Sequence, residues 1–307
     1  MTTFDIYNDT AKGVLPIFSK NEKLHDPALY VPSLGLMAAV NVAINLGQPL
    51  LITGEPGTGK TELARHIAYF FDLGEVEVFN AQSTSQAKDL FYRYDALAHF
   101  QFAQTQRNTI LTPEEVEKRF IRFNGLGKAI KENRKAVVLM DEIDKAPRDL
   151  PNDILAAIEN LHFEVVETGN KYRVIPEKLP IIVITSNSEK NLPDAFLRRV
   201  VYYNIPFPDA AALLRIVSAK VDGYSEKTLK SLIAHFEEIR SGKTVKLSKN
   251  PATSELINWV ALLKKMDFNA DDIDDELIVT ERAKLLTSYS VLAKNRNDVK
   301  EIQKILV

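Results

Sequence analysis

One eight-residue segment constrains this chain more than any other, the run GEPGTGKT at residues 54–61. Its spacing fits G-x-x-x-x-G-K-[ST], a pattern in which glycines let backbone N–H groups wrap around phosphate oxygens. An apolar run over residues 49–53 precedes the segment, and a helical pattern over residues 62–71 follows it. Because a helix N-terminus also attracts anions, this order of strand, loop and helix predicts a phosphate-binding site.

The residue types in this segment assign separate roles. Lys60 is expected to reach the β- and γ-phosphates of a nucleotide, and the Thr61 hydroxyl is expected to bind Mg²⁺. The residues predicted to bind the nucleotide are Gly54, Glu55, Pro56, Gly57, Thr58, Gly59, Lys60, Thr61 and Glu62.

A second motif supplies an acidic anchor for the same metal ion. Residues 136–141 form an apolar run that ends in Asp141 and is followed by Glu142. Ligands of open α/β sheets gather at the carboxyl ends of the strands. We therefore predict that Asp141 holds Mg²⁺, directly or through water, and that Glu142 acts as a general base on an attacking water. No Asn-Lys-x-Asp motif follows, which weakens a GTPase interpretation, although the sequence leaves the choice between ATP and GTP open.

The pattern of apolar residues predicts the fold class. Near-continuous apolar runs alternate with helical patterns as far as about residue 208, which is typical of a parallel sheet covered on both faces. Beyond that point the chain reads as helices only. We predict an α/β domain over residues 1–208 and an all-α domain over residues 209–307. The predicted strands are 49–53, 76–80, 136–141, 180–185 and 200–205, and the main predicted helices are 34–46, 62–71, 151–161, 209–221, 225–240, 253–266 and 276–294.

Composition excludes several classes of protein. The chain has no cysteine, which removes disulfides, thiolate nucleophiles and cysteine-based zinc sites. Its five histidines are scattered without metal-ligand spacing. The formal net charge of −2 argues against a general nucleic-acid binder but excludes no local patch. Without cysteine, an apolar leader or an unbroken apolar stretch long enough to span a membrane, the expected location is the cytoplasm.

Two further segments carry polar residues that suit a nucleotide site. The predicted strand at 180–185 leads to Asn187, which can orient a water near a γ-phosphate. Residues 192–200 contain Arg198 and Arg199, and an arginine beside a transferring phosphoryl group stabilises the transition state. Taken alone, each segment is also compatible with a solvated end of a strand or helix.

Taken together, these motifs resemble those of the AAA+ ATPases, and most of all the MoxR-type group. The resemblance covers roughly residues 30–265. It implies a P-loop NTPase core with a helical lid, and a ring of like subunits, usually hexameric, that binds ATP between subunits. It also implies that Arg199 reaches the γ-phosphate of the neighbouring subunit, with Arg198 as the alternative. Relatives often carry a sensor arginine early in a lid helix, where this chain has Ser254.

These observations predict an ATPase that couples ATP binding and hydrolysis to remodelling or activating a protein partner. By resemblance, that partner carries a von Willebrand factor A-type domain. A nucleotide-stabilised scaffold with negligible turnover is an alternative, which the missing lid arginine favours mildly. A nucleic-acid-remodelling ATPase is a second alternative, which the nearly balanced charge disfavours.

Two other segments admit local interpretations. Residues 89–95 are unusually aromatic, which is compatible with local packing or with contacts to a partner. Residues 163–167 and 171–174 flank a Thr-Gly-Asn sequence and predict a β-hairpin. Thr112 and Glu115 around Pro113 predict a capping box at the start of a helix.

Overall fold

The structure is a computed structural model of the chain and describes residues 6–7, 22–106, 109–188, 192–269, 273 and 278–306. The chain divides into two compact units. The unit called here the sheet unit comprises residues 32–54 and 60–205. The helical unit comprises residues 206–307, residues 55–59 and the residues before 32.

The described residues form strands and α-helices with the following bounds. The strands are β1 (Leu50–Gly54), β2 (Glu77–Asn80), β3 (Tyr92–Tyr94), β4 (Ile121–Phe123), β5 (Val137–Asp141), β6 (His162–Val165), β7 (Asn170–Arg173), β8 (Ile181–Thr185) and β9 (Val201–Ile205). The helices are α1 (Leu34–Leu46), α2 (Lys60–Phe70), α3 (Ala96–Thr105), α4 (Pro113–Phe120), α5 (Gly125–Glu132), α6 (Leu150–Asn160), α7 (Asp194–Leu197), α8 (Ala210–Lys220), α9 (Glu226–Ser241), α10 (Thr253–Lys265), α11 (Val279–Ser288) and α12 (Arg296–Gln303).

A five-stranded parallel sheet organises the sheet unit. Its strand order is β2-β5-β8-β1-β9, and every pairing is parallel. All five residues of β1 are buried, and so are the first four of β5. Strands buried along their whole length need cover on both faces, which explains their continuous apolar sequence. The predicted fold class, a P-loop NTPase sheet flanked by helices with further helices toward the C-terminus, is confirmed.

The five predicted sheet strands agree with the observed strands to within one residue at each end. Helix α1 has the predicted bounds because its ends are capped. The Ser33 hydroxyl accepts a hydrogen bond from the Leu36 N–H at 3.2 Å, and Gly47 ends the helix in a left-handed conformation.

The prediction of one long helix over residues 276–294 is wrong in its extent. Its first two residues lie outside the described residues, and the remainder ends as an α-helix at Ser288. Tyr289 starts a short 3-10 turn, and its hydroxyl lies 2.7 Å from His235 Nε2. The side chains at the break are therefore held by tertiary contacts that helical periodicity does not reveal. Helix α12, which is capped by Asn295, then forms beyond the last predicted helix.

The hairpin predicted around residues 163–174 is confirmed as the antiparallel pair β6–β7. A second antiparallel pair, β3–β4, was not predicted, because helices α3 and α4 separate its strands along the chain. The predicted capping box at the start of α4 is present, with hydrogen bonds of 2.9 and 3.3 Å between Thr112 and Glu115.

The aromatic segment at residues 89–95 serves local packing. Phe91 and Tyr92 are both buried, and the Phe91 ring stacks on Phe163 with ring centroids 4.8 Å apart. The Tyr92 hydroxyl accepts a hydrogen bond from the Val166 N–H at 3.1 Å. These contacts join the pair β3–β4 to the hairpin β6–β7. The side chains of Phe91 and Tyr92 are therefore not exposed to a partner.

A buried carboxylate joins α4 to the hairpin β6–β7. Glu117 is only 5% exposed, and it accepts hydrogen bonds from Lys131 at 2.9 Å, Tyr172 at 2.7 Å, Asn170 at 2.8 Å and Thr168 at 3.1 Å. Burial alone raises the pKa of Glu117, but the hydrogen bonds from Lys131, Tyr172 and Asn170 outweigh it and hold the pKa below its ordinary value. Burial and then the bond to Glu117 raise the pKa of Tyr172 to about 12.

The described residues of the helical unit share one core. Trp259 and Tyr289 are fully buried there, and the Trp259 Nε1–H donates to Ser288 Oγ at 2.7 Å. His235 pairs with Tyr289 and lies parallel to the Trp259 ring, so this histidine serves packing. In the described ranges, no three acidic or histidine side chains cluster as a metal site would require. None of the helices within those ranges has the length and apolar character needed to cross a membrane.

Replacing Glu117 with alanine should lower the free energy of unfolding by about 3 kcal/mol, because the change removes a buried acceptor from four partly buried donors, one of them the Lys131 ammonium. Urea unfolding at neutral pH measures this loss. Glu114→Ala, an exposed change on the same helix, is the control and should stay within about 0.5 kcal/mol of the wild type. Equal stability of the Glu117→Ala variant and the control would contradict the role given to this carboxylate.

The lowered pKa of Glu117 also predicts a pH dependence. Its contribution is fully present above the ordinary value of 4.5 and is lost as the pH falls from there through the folded-state pKa. Unfolding midpoints measured through this acidic range should therefore fall more steeply in the wild type than in Glu117→Gln, which has no carboxyl group to titrate. Parallel curves would show that another group dominates the acid response.

Candidate nucleotide site

The predicted phosphate-binding lysine lies between the end of β1 and Asn187, the second residue after β8. Lys60 opens α2, is buried, and donates from Nζ to the Gly54 carbonyl at 2.8 Å and to Asn187 Oδ1 at 3.0 Å. Strands β1 and β8 are paired directly, which brings their carboxyl ends together. Lys60 and Asn187 are therefore neighbours, as two residues acting on one phosphate chain must be.

The predicted metal ligands also lie together. Thr61 Oγ1 is 3.3 and 3.2 Å from the two carboxylate oxygens of Asp141. Thr185 also donates to Asp141 from its hydroxyl. Sequence reasoning gave no role to Thr185, but the pairing of Met140 with Ile184 places it opposite Asp141 one step further along the strands.

Glu142 follows β5 in an unusual backbone conformation. Its φ of 57° lies in the left-handed region, which costs a non-glycine residue about 1–2 kcal/mol. Its N–H donates to Thr185 Oγ1 at 3.0 Å, which helps to hold the strained turn. Strained residues of this kind concentrate at functional sites.

The carboxylate of Glu142 is already paired. Lys145 Nζ donates to Glu142 Oε2 at 2.5 Å, and both side chains are about half exposed. The hydrogen bond to Glu142 is the main cause that raises the pKa of Lys145 above its ordinary value. Lys145 therefore stays protonated at neutral pH and occupies one carboxylate oxygen of Glu142.

The tip of the loop, residues 55–59, belongs to the helical unit. The N–H and hydroxyl of Thr58 both donate to the Glu55 carbonyl, at 3.4 and 2.8 Å. Gly57 and Gly59 have φ angles of +78° and +87°, which side-chain-bearing residues rarely adopt. Pro56 and Gly57 are exposed, so the tip is open to a ligand.

Three further predicted residues, Glu62, Arg198 and Arg199, lie on α2 and after α7. Glu62, in the first turn of α2, pairs with Arg65 at 3.0 Å. Arg198 and Arg199 follow α7 and are both exposed. Arg199 Nε is 3.5 Å from Glu159 Oε1, an exposed ion pair of small energetic value. The structure thus brings together Lys60, Thr61, Asp141 and Asn187, and leaves the two arginines facing solvent.

The donor set fits a magnesium nucleotide. A hydroxyl and a carboxylate are the hard oxygen ligands that Mg²⁺ prefers, and Mg²⁺ sites commonly use one or two carboxylates beside substrate phosphates. Lys60 adds a buried ammonium next to them, and the glycines of the loop leave its backbone open to phosphate oxygens.

The fold and the site together define a P-loop NTPase. Residues 49–200 match the AAA domain of the dynein-related subfamily. The gas vesicle ATPase GvpN of Haloferax mediterranei is 24% identical over 262 residues, which are 83% of this chain and 74% of that protein. GvpN of Ancylobacter aquaticus is 24% identical over 245 residues, 75% of this chain and 65% of that protein.

A solved structure of NtrX from Brucella abortus in complex with ATP is 18% identical, with a TM-score of 0.47 over 91% of this chain and 58% of that chain. The family match over residues 49–200, together with the similarity to the two GvpN proteins, identifies an AAA domain of the dynein-related subfamily in this chain. The predicted resemblance to AAA+ ATPases of the MoxR type is confirmed.

Replacing Lys60 with alanine should weaken ATP binding about 10- to 100-fold, the loss expected for one charge-assisted hydrogen bond in a buried site. A titration with fluorescent ATP measures the affinity. Lys171→Ala, which removes an exposed lysine from β7, is the matched control and should bind as the wild type does. Unchanged affinity in Lys60→Ala would place the phosphates elsewhere.

Proposed function

We propose that this chain hydrolyses ATP at the edge of the sheet unit where β1, β5 and β8 end and α2 begins. The observation that carries the proposal is the meeting of Lys60, Thr61, Asp141 and Asn187 at one edge of a parallel sheet. The similarity to proteins named gas vesicle ATPases supports the same activity.

Each of the proposed site residues has a separate role in this reaction. Lys60 and the loop N–H groups bind the phosphates, and Thr61 and Asp141 would hold Mg²⁺. When bound, Mg²⁺ neutralises charge on the phosphate oxygens. Glu142 takes a proton from the attacking water, and Asn187 orients that water.

Replacing Glu142 with glutamine should lower steady-state phosphate release by about 100-fold or more, the usual contribution of a general base. ATP affinity should stay near the wild-type value, because this side chain does not bind the nucleotide. Glu164→Gln on β6, also an exposed acidic residue, is the control with full turnover.

The same assay separates hydrolysis from the alternative of a nucleotide-stabilised scaffold. Phosphate release by the wild type no faster than by Glu142→Gln, with intact ATP binding, would favour the scaffold and overturn the proposed hydrolysis.

We also propose that the complete site needs two copies of the chain. The exposed Arg199 would reach the nucleotide of a neighbouring subunit in a homo-oligomeric ring, with Arg198 as the alternative. Exposure of both arginines is compatible with this role, because an arginine acting on another subunit must be free of its own core.

Under this proposal, turnover per subunit rises with protein concentration, and Arg199→Ala loses about 1,000-fold of it. The same measurement on Arg198→Ala shows which of the two arginines acts on the neighbouring nucleotide. Mixing Arg199→Ala with Glu142→Gln should restore activity, since some interfaces then combine an intact arginine with an intact base. Turnover independent of both concentration and the two arginines would show that one chain suffices.

We propose a protein partner as the target of this ATPase, for which a von Willebrand factor A-type domain remains the candidate by resemblance. The balanced charge of the chain supports a protein over a nucleic acid. Stimulation of turnover by DNA or RNA would reverse that preference. The absence of cysteine suits a cytoplasmic location, which we propose as well.

A further inference from the structure

Residues 55–59 of the phosphate loop share a compact unit with helices α8 to α12. Two contacts tie this tip to the helices. One is an ion pair between Glu55 and Arg240, and the other is the close approach of Gly57 to the start of α10. Both join the loop to α9 and to the start of α10.

Arg240 is held from three sides near the end of α9. Its Nη2 donates to Glu55 Oε2 at 2.5 Å, and its Nη1 donates to the Pro251 carbonyl at 2.7 Å. Its guanidinium also lies 3.6 Å above the Phe207 ring. The side chain is only 12% exposed, in contrast to 56% for Glu55. Such a planar guanidinium, bound on two edges and one face, is fixed in orientation.

The start of α10 contacts the loop directly. A Cβ at Gly57 would lie 2.7 Å from Ser254 Oγ and 2.8 Å from Ala252 Cβ, closer than such atoms approach. The side chains of Ser254 and Ala252 therefore lie against the loop backbone itself.

We propose that the ion pair between Glu55 and Arg240 transmits nucleotide binding from the phosphate loop to α9 and α10. Arg240 is a positioning residue: it binds the loop and never the phosphate. When the loop closes around phosphates, Glu55 moves with its backbone and pulls on Arg240, and Arg240 is bonded to Pro251 immediately before α10. The inference rests on the proposed binding of ATP at this loop.

Hydrogen exchange tests this coupling with Mg²⁺ and the non-hydrolysable nucleotide AMP-PNP as the probe. In the wild type, the nucleotide should slow exchange in the first turns of α10 at least about fivefold, the lower end of typical coupling between sites. In Arg240→Gln, the ratio of exchange rates without and with nucleotide should fall to about one, while α2 remains protected by the bound nucleotide. Glu55→Ala also alters a residue of the phosphate loop, so it is compared at a nucleotide concentration that brings α2 to full protection, and its ratio should likewise be about one. Arg215→Gln, an exposed change on α8, should keep the full ratio.

The Glu55→Ala variant makes the test decisive. It leaves the bonds of Arg240 to Pro251 and Phe207 intact, so a purely structural role of Arg240 predicts that Glu55→Ala keeps the coupling. The double variant should lose no more of the nucleotide-dependent protection of α10 than either single variant does. Arg240→Lys, which keeps a positive charge beside Glu55, should retain part of that protection.

Full coupling in Glu55→Ala would overturn the inference while leaving the proposed ATPase intact. Absence of protection by nucleotide at α2 in the wild type would instead show that the proposed ATP site itself is wrong.

Discussion

Parallel pairing of β1, β5 and β8 is the constraint on which the site depends. Parallel strands end at the same edge, so the residues after each strand come together although they lie far apart in sequence. Lys60 thereby meets Asn187, and Thr61 meets Asp141. The continuous apolar sequence of these strands holds them inside the sheet unit, where both faces of the sheet are covered. The chemistry at the edge is therefore a consequence of how the core packs.

The central sheet and the candidate residues at its edge could be predicted from the sequence, because local signals specify them. Continuous apolar runs marked the five strands, and the spacing from Gly54 to Thr61 marked the loop. What escaped prediction depends on contacts between distant residues. Nothing near Glu117 indicates that donors from α5 and the hairpin β6–β7 converge on it. Similarly, no motif connects Glu55 with Arg240, which is 185 positions away.

The hydrogen-bond partners of Thr185 and Glu142 are further contacts that the sequence alone does not indicate. Thr185 was visible as a polar residue at a strand end, but its bond to Asp141 follows only from the register of β5 and β8. The ion pair between Glu142 and Lys145 spans only three residues, but it forms next to the left-handed turn at Glu142, which the sequence does not indicate. Side-chain type marks Glu142 as the candidate base but does not show that Lys145 pairs with it.

The assignment of Lys60, Thr61 and Asp141 to a magnesium nucleotide is the central claim of this account. A crystal structure of the Glu142→Gln variant with ATP and Mg²⁺ tests it most directly. In that structure, we expect the γ-phosphate to lie beside Lys60 and Asn187. We expect the metal ion to be bound to Thr61 Oγ1, with Asp141 next to it. Phosphates bound away from the loop, or a metal ion held by other residues, would contradict it.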